Sequence, residues 1–288
     1  MRFDFVEAHR TQWPVVVLCR TLAVSISGFW ARRRRPPSAR ARRDATLASA
    51  IQESFAESDE TYGVPRVHKD IREMDATVGR RTIARLMQEL GIAGAAGRAP
   101  RVRTTIVDAL HPKAENVLNR DFTALQPNQR WVTDITAIST DEGDVYLAAI
   151  LDLFSRKVVG WAADQHMETS LVLRALDAAT ANRKPAPGLI HHSDRGCQYT
   201  SAAYRQCLAD QKMIVSMSRT GNCHDNACAE SFWARLKVEC LYRRHFATRT
   251  AAYAAIFRYI EVFYNRKRRH SSLGYLSPDA FEAFHAAA

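Results

Sequence analysis

The chain has 288 residues, 47% hydrophobic and 25% charged, enough apolar content to bury a sizeable core in two domains. Lys and Arg outnumber Asp and Glu 41 to 30, a formal charge of +11, which points to a polyanionic partner and first of all to nucleic acid. No run of about 18 apolar residues occurs, which argues against a membrane span; the six cysteines lack zinc-finger spacing and are expected to be reduced, as in the cytoplasm.

The opening "MRFDFVEAHRTQWPVVVLCR" carries acids and no small-residue cleavage site, so no signal peptide is expected. Residues 14–30 read as two short helices with a break, Ser25 or Ser27 capping the second, in the manner of a small helix-turn-helix. "ARRRRPPSARARR" (31–43) holds two prolines and seven arginines; it reads as irregular chain, either a solvated linker or a phosphate contact. Residues 46–58 form an amphipathic helix, and 62–92 form two more, split near Thr77–Gly79, with Val67 and Ile71 facing Ile83, Leu86, Met87 and Leu90. The second of these begins with Arg80 and Arg81, where a recognition helix presents residues to bases and phosphates; a plain helical bundle with a basic end is the alternative. A flexible basic linker is expected over 93–105.

From residue 130 the pattern turns to strands. "RWVTDITAIS", "VYLAAILDLF" and "RKVVGWAAD" read as three antiparallel strands, followed by a helix over 168–183, a buried strand "GLIHHSD", a helix at 200–210 and a short strand "MIVSMS". This order is that of an α/β, ribonuclease-H-like mixed sheet flanked by helices and preceded by an all-α helix-turn-helix region. The domains expected are 1–45 (helical segment and Arg-rich linker), 46–105 (DNA-binding helices), 106–124 (linker) and 125–286 (catalytic core with a basic C-terminal helix). Residues 241–270 carry eight Arg or Lys against Glu261 alone.

Three carboxylates stand out. Asp134 lies inside a Val/Ile/Thr-rich strand, where an unpaired carboxylate is costly. Asp194 ends the "LIHHSD" strand. In "CHDNACAESFWARLK" (223–237), Ala229, Phe232, Trp233 and Leu236 make one apolar arc, while Glu230 lies about 100° off it on a flank shared with Asn226 and Lys237. Hard oxygen ligands from three elements suit Mg²⁺ or Mn²⁺, and two such ions about 4 Å apart serve in-line phosphoryl transfer. Each carboxylate alone reads as a cap or turn residue; together they read as a metal site.

The blocks "WVTDIT", "DLFSRKVVGW", "HHSDRGCQYTS", "SMSRTGNCHDNACAESFWARLKVE" and "YNRKRRHSSLGYLSPDAFE", in that order over almost the whole chain, resemble orfB-type transposases of the insertion-sequence-three family, within the retroviral-integrase-like superfamily. Cys197 stands where the family commonly has Ser. The resemblance implies that Asp134, Asp194 and Glu230 are the catalytic, metal-binding triad and that Lys237 contacts substrate phosphate, an ion pair with Glu230 being the alternative. Asn226, Arg268, Arg269 and His270 are further candidate DNA contacts, with Gln198, Tyr199, Arg195 and Ser218–Arg219 near the site. Asp225 is expected to cap the helix, Asp152 to be structural, and one of His191 and His192 to face the site.

The resemblance further implies copy-out-paste-in transposition on terminal inverted repeats and target DNA by a homo-oligomer at the bacterial nucleoid. The partner it implies is an upstream-frame helix-turn-helix and leucine-zipper protein, or a fusion with it. A ribonuclease-H-like nuclease and a non-catalytic DNA-binding regulator are the alternative functions.

Overall fold

A computed structural model of the chain describes residues 1–96, 114–219 and 223–287. It divides into two compact units, Met1–Gln52 and Glu53–Ala288.

The first unit contains α1 (Arg2–His9), α2 (Val15–Thr21), α3 (Ile26–Arg34) and the start of α4 (Ala39–Glu57). Val6, Leu18, Cys19 and Phe29 form its small core. Ser25 caps α3 by accepting from the Gly28 N–H at 3.2 Å, and the bend from α2 to α3 is 114°, within the range of a helix-turn-helix. The arginine-rich stretch departs from the irregular chain expected of it. Arg and Ala are strong helix formers, so α3 runs through Arg34 and α4 resumes at Ala39, and Pro36 and Pro37 interrupt only the residues between. Residues 31–43 are all exposed. No single helix among the described residues is long and apolar enough to cross a membrane.

The second unit opens with a helical hairpin, α5 (Val64–Met74) and α6 (Arg80–Glu89), starting at Gly63 with Pro65 in the first turn. Val67 and Ile71 of α5 and Ile83, Leu86 and Met87 of α6 are buried. This hairpin falls in the same compact unit as the sheet. The expected linkers 93–105 and 106–124 lie outside the described residues over 97–113. Beyond that gap the chain is packed: Leu118 is buried and its N–H donates to Ser216 Oγ at 3.0 Å.

The sheet has five strands, β1 (Arg130–Ile138), β2 (Val145–Asp152), β3 (Val158–Asp164), β4 (Ile190–Ser193) and β5 (Ile214–Met217), in the order β3-β2-β1-β4-β5. The first three form the antiparallel meander, while β4 pairs parallel to β1 and β5 parallel to β4. Helix α7 (Thr169–Arg183) crosses one face, with Leu171, Val172, Ala175, Leu176 and Ala179 buried in the main core beside Trp131, Ile150 and Val159. The approach is so close that a Cβ on Gly160 would stand 2.4 Å from the Ala175 carbonyl oxygen. Each such fully buried Leu, Ile or Val stabilises the fold by ~1.5–3 kcal/mol.

Short α8 (Cys197–Thr200) and α9 (Ala202–Asp210) link β4 to β5. Helix α10 (Ala227–Leu236) follows a 3₁₀ turn at Cys223–Asn226 and passes into a π-helical turn, Lys237–Leu241. Then come α11 (Arg249–Phe257), a second π turn (Arg258–Tyr264) and α12 (Pro278–Ala286).

Candidate active site

Asp134 sits at the fifth position of β1, opposite Ala149 of β2. Its two oxygens are both engaged. Oδ1 accepts from the Ile135 N–H at 2.8 Å, and Oδ2 accepts from the indole Nε1 of Trp233 at 3.0 Å. The second bond matters most, because it fastens α10 across β1. Phe232 and Trp233 rings lie 4.8 Å apart, and Phe232 meets Tyr264 edge-on at 5.0 Å, so the arc read from helical periodicity is the packed face. Glu230, one turn before Trp233, is left exposed on the flank.

Because β4 runs parallel beside β1, with Val132 opposite His192, the residue just past its end arrives alongside Asp134; that residue is Asp194. Its Oδ1 accepts from the Gly196 N–H at 2.9 Å, and a Cβ on Gly196 would crowd that oxygen at 3.0 Å. Burial, joined by the charges of Asp194 and Glu230, pushes the Asp134 pKa up to about 8, against the two donors that favour its anion. Three carboxylates from three separate elements thus share one electrostatic neighbourhood. Among the described residues, no three His, Cys, Asp or Glu side chains already stand close enough to hold one ion. The donor set is nonetheless the hard-oxygen set that Mg²⁺ or Mn²⁺ takes, and a cation would offset the burial and like charge that disfavour the Asp134 anion.

Lys237 is half-buried at the junction of α10 and the π turn. Burial lowers its pKa while the Asp134 charge works to raise it, which puts the ammonium within electrostatic reach of that carboxylate. No ion pair to Glu230 occurs among the described residues.

Several of the expected DNA contacts are engaged within the protein. Asn226 is buried: its Nδ2 donates to the Thr133 carbonyl at 3.2 Å, bracing the start of α10 against β1, and its Oδ1 has no partner among the described residues. Arg268 is 3% exposed and donates from Nε and Nη2 to Glu239 at 2.6 and 2.7 Å. His270 is buried edge-on against Tyr264 at 4.8 Å, and burial together with the Arg268 charge keeps its pKa far below the usual imidazole range. Arg269 bonds to Glu73 at 2.6 Å and to Asp70. A basic run followed by His looks solvated in sequence, but here its acidic partners arrive from distant elements. By contrast, Arg80 and Arg81 are exposed at the start of α6.

Near the site, Tyr199 is buried with its hydroxyl 3.2 Å from Thr133 Oγ1, and Gln198 donates to the Met167 carbonyl at 2.9 Å. Neither His191 nor His192 faces outward. His191 lies 3.1 Å from the Tyr204 hydroxyl, and His192 bridges Ser216 and Ser218 at 2.9 and 3.0 Å. Asp152 is fully buried and accepts from the Asn128 and Phe154 N–H groups at 2.7 and 2.9 Å.

Asp225 is no simple cap. With a fully buried side chain it accepts from Arg219, Arg120 and Asn116, all at 2.8–3.0 Å, and the Arg219 hydrogen bond leads in holding its pKa well below the carboxylate range. Sequence reading missed this hub, the indole bond of Trp233 and the Glu239 carboxylate; only a Trp three residues after Glu230 gave any local hint.

Family models match three stretches: an integrase core domain over residues 124–223, an HTH-like domain over 41–100, and a second integrase core domain model over 211–278. A transposase InsF for insertion sequence IS3A of Escherichia coli (strain K12) is 40% identical over 284 residues, 98% of each chain. The chain belongs to the IS3 family of transposases. Another member-like relative, the insertion element IS600 uncharacterized 31 kDa protein of Shigella sonnei, is 42% identical over 93% of this chain and 98% of its own. Among solved structures, the simian T-cell lymphotropic virus intasome in complex with PP2A regulatory subunit B56 gamma aligns with TM-score 0.47 and 15% identity, over 82% of this chain and 74% of that one. The HTLV-2 integrase catalytic core domain in complex with magnesium aligns at TM-score 0.40 and 14% identity, over 56% and 99%. This IS3-family transposase therefore joins an HTH-like helical region to an integrase-type core built on the five-stranded mixed sheet.

Proposed function

We propose that this transposase is a metal-dependent polynucleotidyl transferase that cleaves DNA at the ends of an insertion sequence and transfers the freed strand, with Asp134, Asp194 and Glu230 as its catalytic carboxylates. The observation that carries the reading is the 3.0 Å bond from Trp233 to Asp134, which holds the helix bearing Glu230 across the strand bearing Asp134, where Asp194 also arrives. The three carboxylates would hold Mg²⁺ or Mn²⁺, in all two ions. Bound there, such ions supply Lewis acidity at the attacking and leaving oxygens.

The chain's own residues do the rest. Ile135 N–H and Trp233 fix the Asp134 carboxylate in one orientation, Gly196 N–H fixes Asp194, and exposed Glu230 turns toward them without loss of packing. Lys237, partly desolvated beside the carboxylates, receives a phosphate of the strand being cut. In the first step a water oxygen attacks phosphorus, the P–O3′ bond breaks and the 3′ oxygen leaves as a hydroxyl after taking up a proton. In the second, that 3′-hydroxyl attacks another phosphodiester and expels its 3′ oxygen in turn. Arg80 and Arg81, exposed at the start of α6, contact the terminal inverted repeats. The working assembly is a homo-oligomer on DNA that includes the upstream-frame helix-turn-helix and leucine-zipper protein, or a fusion with it.

The test uses labelled duplexes carrying the terminal repeats, with Mg²⁺ or Mn²⁺. Glu230→Gln is expected to cut cleavage by about a thousandfold or more, a loss of about 4 kcal/mol in transition-state stabilisation, while DNA binding is retained. Full cleavage by that variant overturns the assignment.

A further inference from the structure

We propose that Arg268 and Arg269 are positioning residues: a two-sided clamp that sets the register between the α5–α6 hairpin and the catalytic helix. The inference rests on the reading that this hairpin engages the end of the element. Two adjacent arginines grip opposite parts of the unit. Arg268 forks onto Glu239 at 2.6 and 2.7 Å, Tyr259 Oη donates to the same carboxylate at 2.9 Å, and Glu239 lies in the π turn that begins at Lys237, directly beyond α10. Arg269 turns to the hairpin instead. Its guanidinium donates to Asp70 and, at 2.6 Å, to Glu73, both on α5.

The backbone of Arg269 is held as well. Its N–H donates to Tyr62 Oη at 2.7 Å, and its carbonyl accepts from Arg66 Nε at 2.8 Å. Tyr62 in turn donates to the Lys267 carbonyl at 3.2 Å and packs near Phe263 at 6.1 Å. A second fastening runs in parallel: Arg243 and Arg244, just past the π turn, bond to Glu60 and Asp59 ahead of α5 at 3.1 and 2.5 Å. These outer pairs are more exposed and contribute less; the Arg269 side chain is 17% exposed and the Arg268 side chain 3%.

The demand for such a clamp follows from DNA geometry. Successive phosphates on one strand are about 3.4 Å apart along the axis, so a hairpin free to tilt by that much would present a neighbouring phosphate to the carboxylates. Fork-shaped guanidinium contacts resist such tilting better than a point charge would.

The test compares the native chain with Arg269→Asp and with the swap Arg269→Asp/Asp70→Arg. Three readouts are taken: amide hydrogen exchange, salt-dependent binding of terminal-repeat duplexes, and the distribution of cut positions. In Arg269→Asp, exchange along α5 is expected to rise by about tenfold while β1 and β2 stay unchanged. Binding and its salt slope hold, cutting spreads to adjacent phosphates, and the swap restores a single cut position. Arg269→Lys, which keeps the charge and loses the fork, broadens the cut in the same way and serves where the reversal does not fold. A salt slope reduced by about one with the cut position unchanged makes Arg269 a direct phosphate contact and overturns the clamp. So does a swap that restores slow exchange but not the single cut. If the native chain cuts no terminal duplex, the transposition chemistry proposed above fails, and the exchange measurement still decides whether Arg269 fastens α5.

Discussion

Asp134 and Glu239 are two shielded carboxylates served by one continuous helical rod, and they are treated in opposite ways. Around Asp134, burial and two further carboxylates drive the pKa up to about 8. Around Glu239, burial also works to raise the pKa, but the Arg268 fork and the Tyr259 hydroxyl outweigh it and the pKa is lowered. The rod is α10 and its π turn, so only a few residues separate the two environments. A buried charge that is fully matched belongs to the architecture. One left crowded by its own kind awaits something positive, which here would be metal ions.

The largest expected effect comes from breaking the matched side. Arg268→Ala strands Glu239 at 3% exposure and should destabilise the fold by about 3–5 kcal/mol, read from the urea midpoint. Replacing both partners with apolar residues, Arg268→Met with Glu239→Leu, should restore most of that loss. A loss under about 1 kcal/mol for the single variant would show that Glu239 is no better matched than Asp134, and the contrast would collapse.

The crowded side has the opposite signature. An acid whose folded pKa is raised binds more protons folded than unfolded between the two values, so stability falls as pH rises from the unfolded value near 3.8 towards about 8. In chelator, the melting temperature should therefore decline over that window. The accompanying loss is on the order of 2 kcal/mol, less than the full shift implies, because Asp134 interacts strongly with the carboxylates around it. Asp134→Asn should flatten this slope, whatever offset the amide introduces opposite the Ile135 N–H, and added Mg²⁺ should flatten it in the native chain. An unchanged slope in Asp134→Asn would place the titration elsewhere.

Much of the site was legible because its signals are local. An Asp among strand formers, a strand ending in Asp194 and an apolar arc that excludes Glu230 are patterns within one element, and periodicity converts them into geometry. What failed was pairing across the chain. Arg268 and Glu239 are 29 residues apart and Arg269 and Asp70 are 199, and a run of basic residues has the same composition whether it faces solvent or distant carboxylates. For the same reason the bonds from Arg269 to α5 could not be read from the sequence, since they join residues on both sides of the sheet sequence. Asp225 was misread in a third way: its position before a helix suggested a cap, but two arginines and an amide claim it.

The smallest expected effect probes the bond from the helix that carries Glu230 to the Asp134 carboxylate. Trp233→Phe keeps an aromatic ring against Phe232 and deletes only the indole donor to Asp134, so the stability loss should be about 1 kcal/mol. Its effect on chemistry has a definite sign. Removing a donor that favours the anion raises the Asp134 pKa further, so the acidic limb of the cleavage profile should move to higher pH. At neutral pH the rate should fall by about tenfold and partly recover in alkali. If Trp233 served packing alone, the rate would fall in parallel at every pH and the limb would stay in place. The displaced limb would instead tie the helix that carries Glu230 to the protonation of the strand carboxylate.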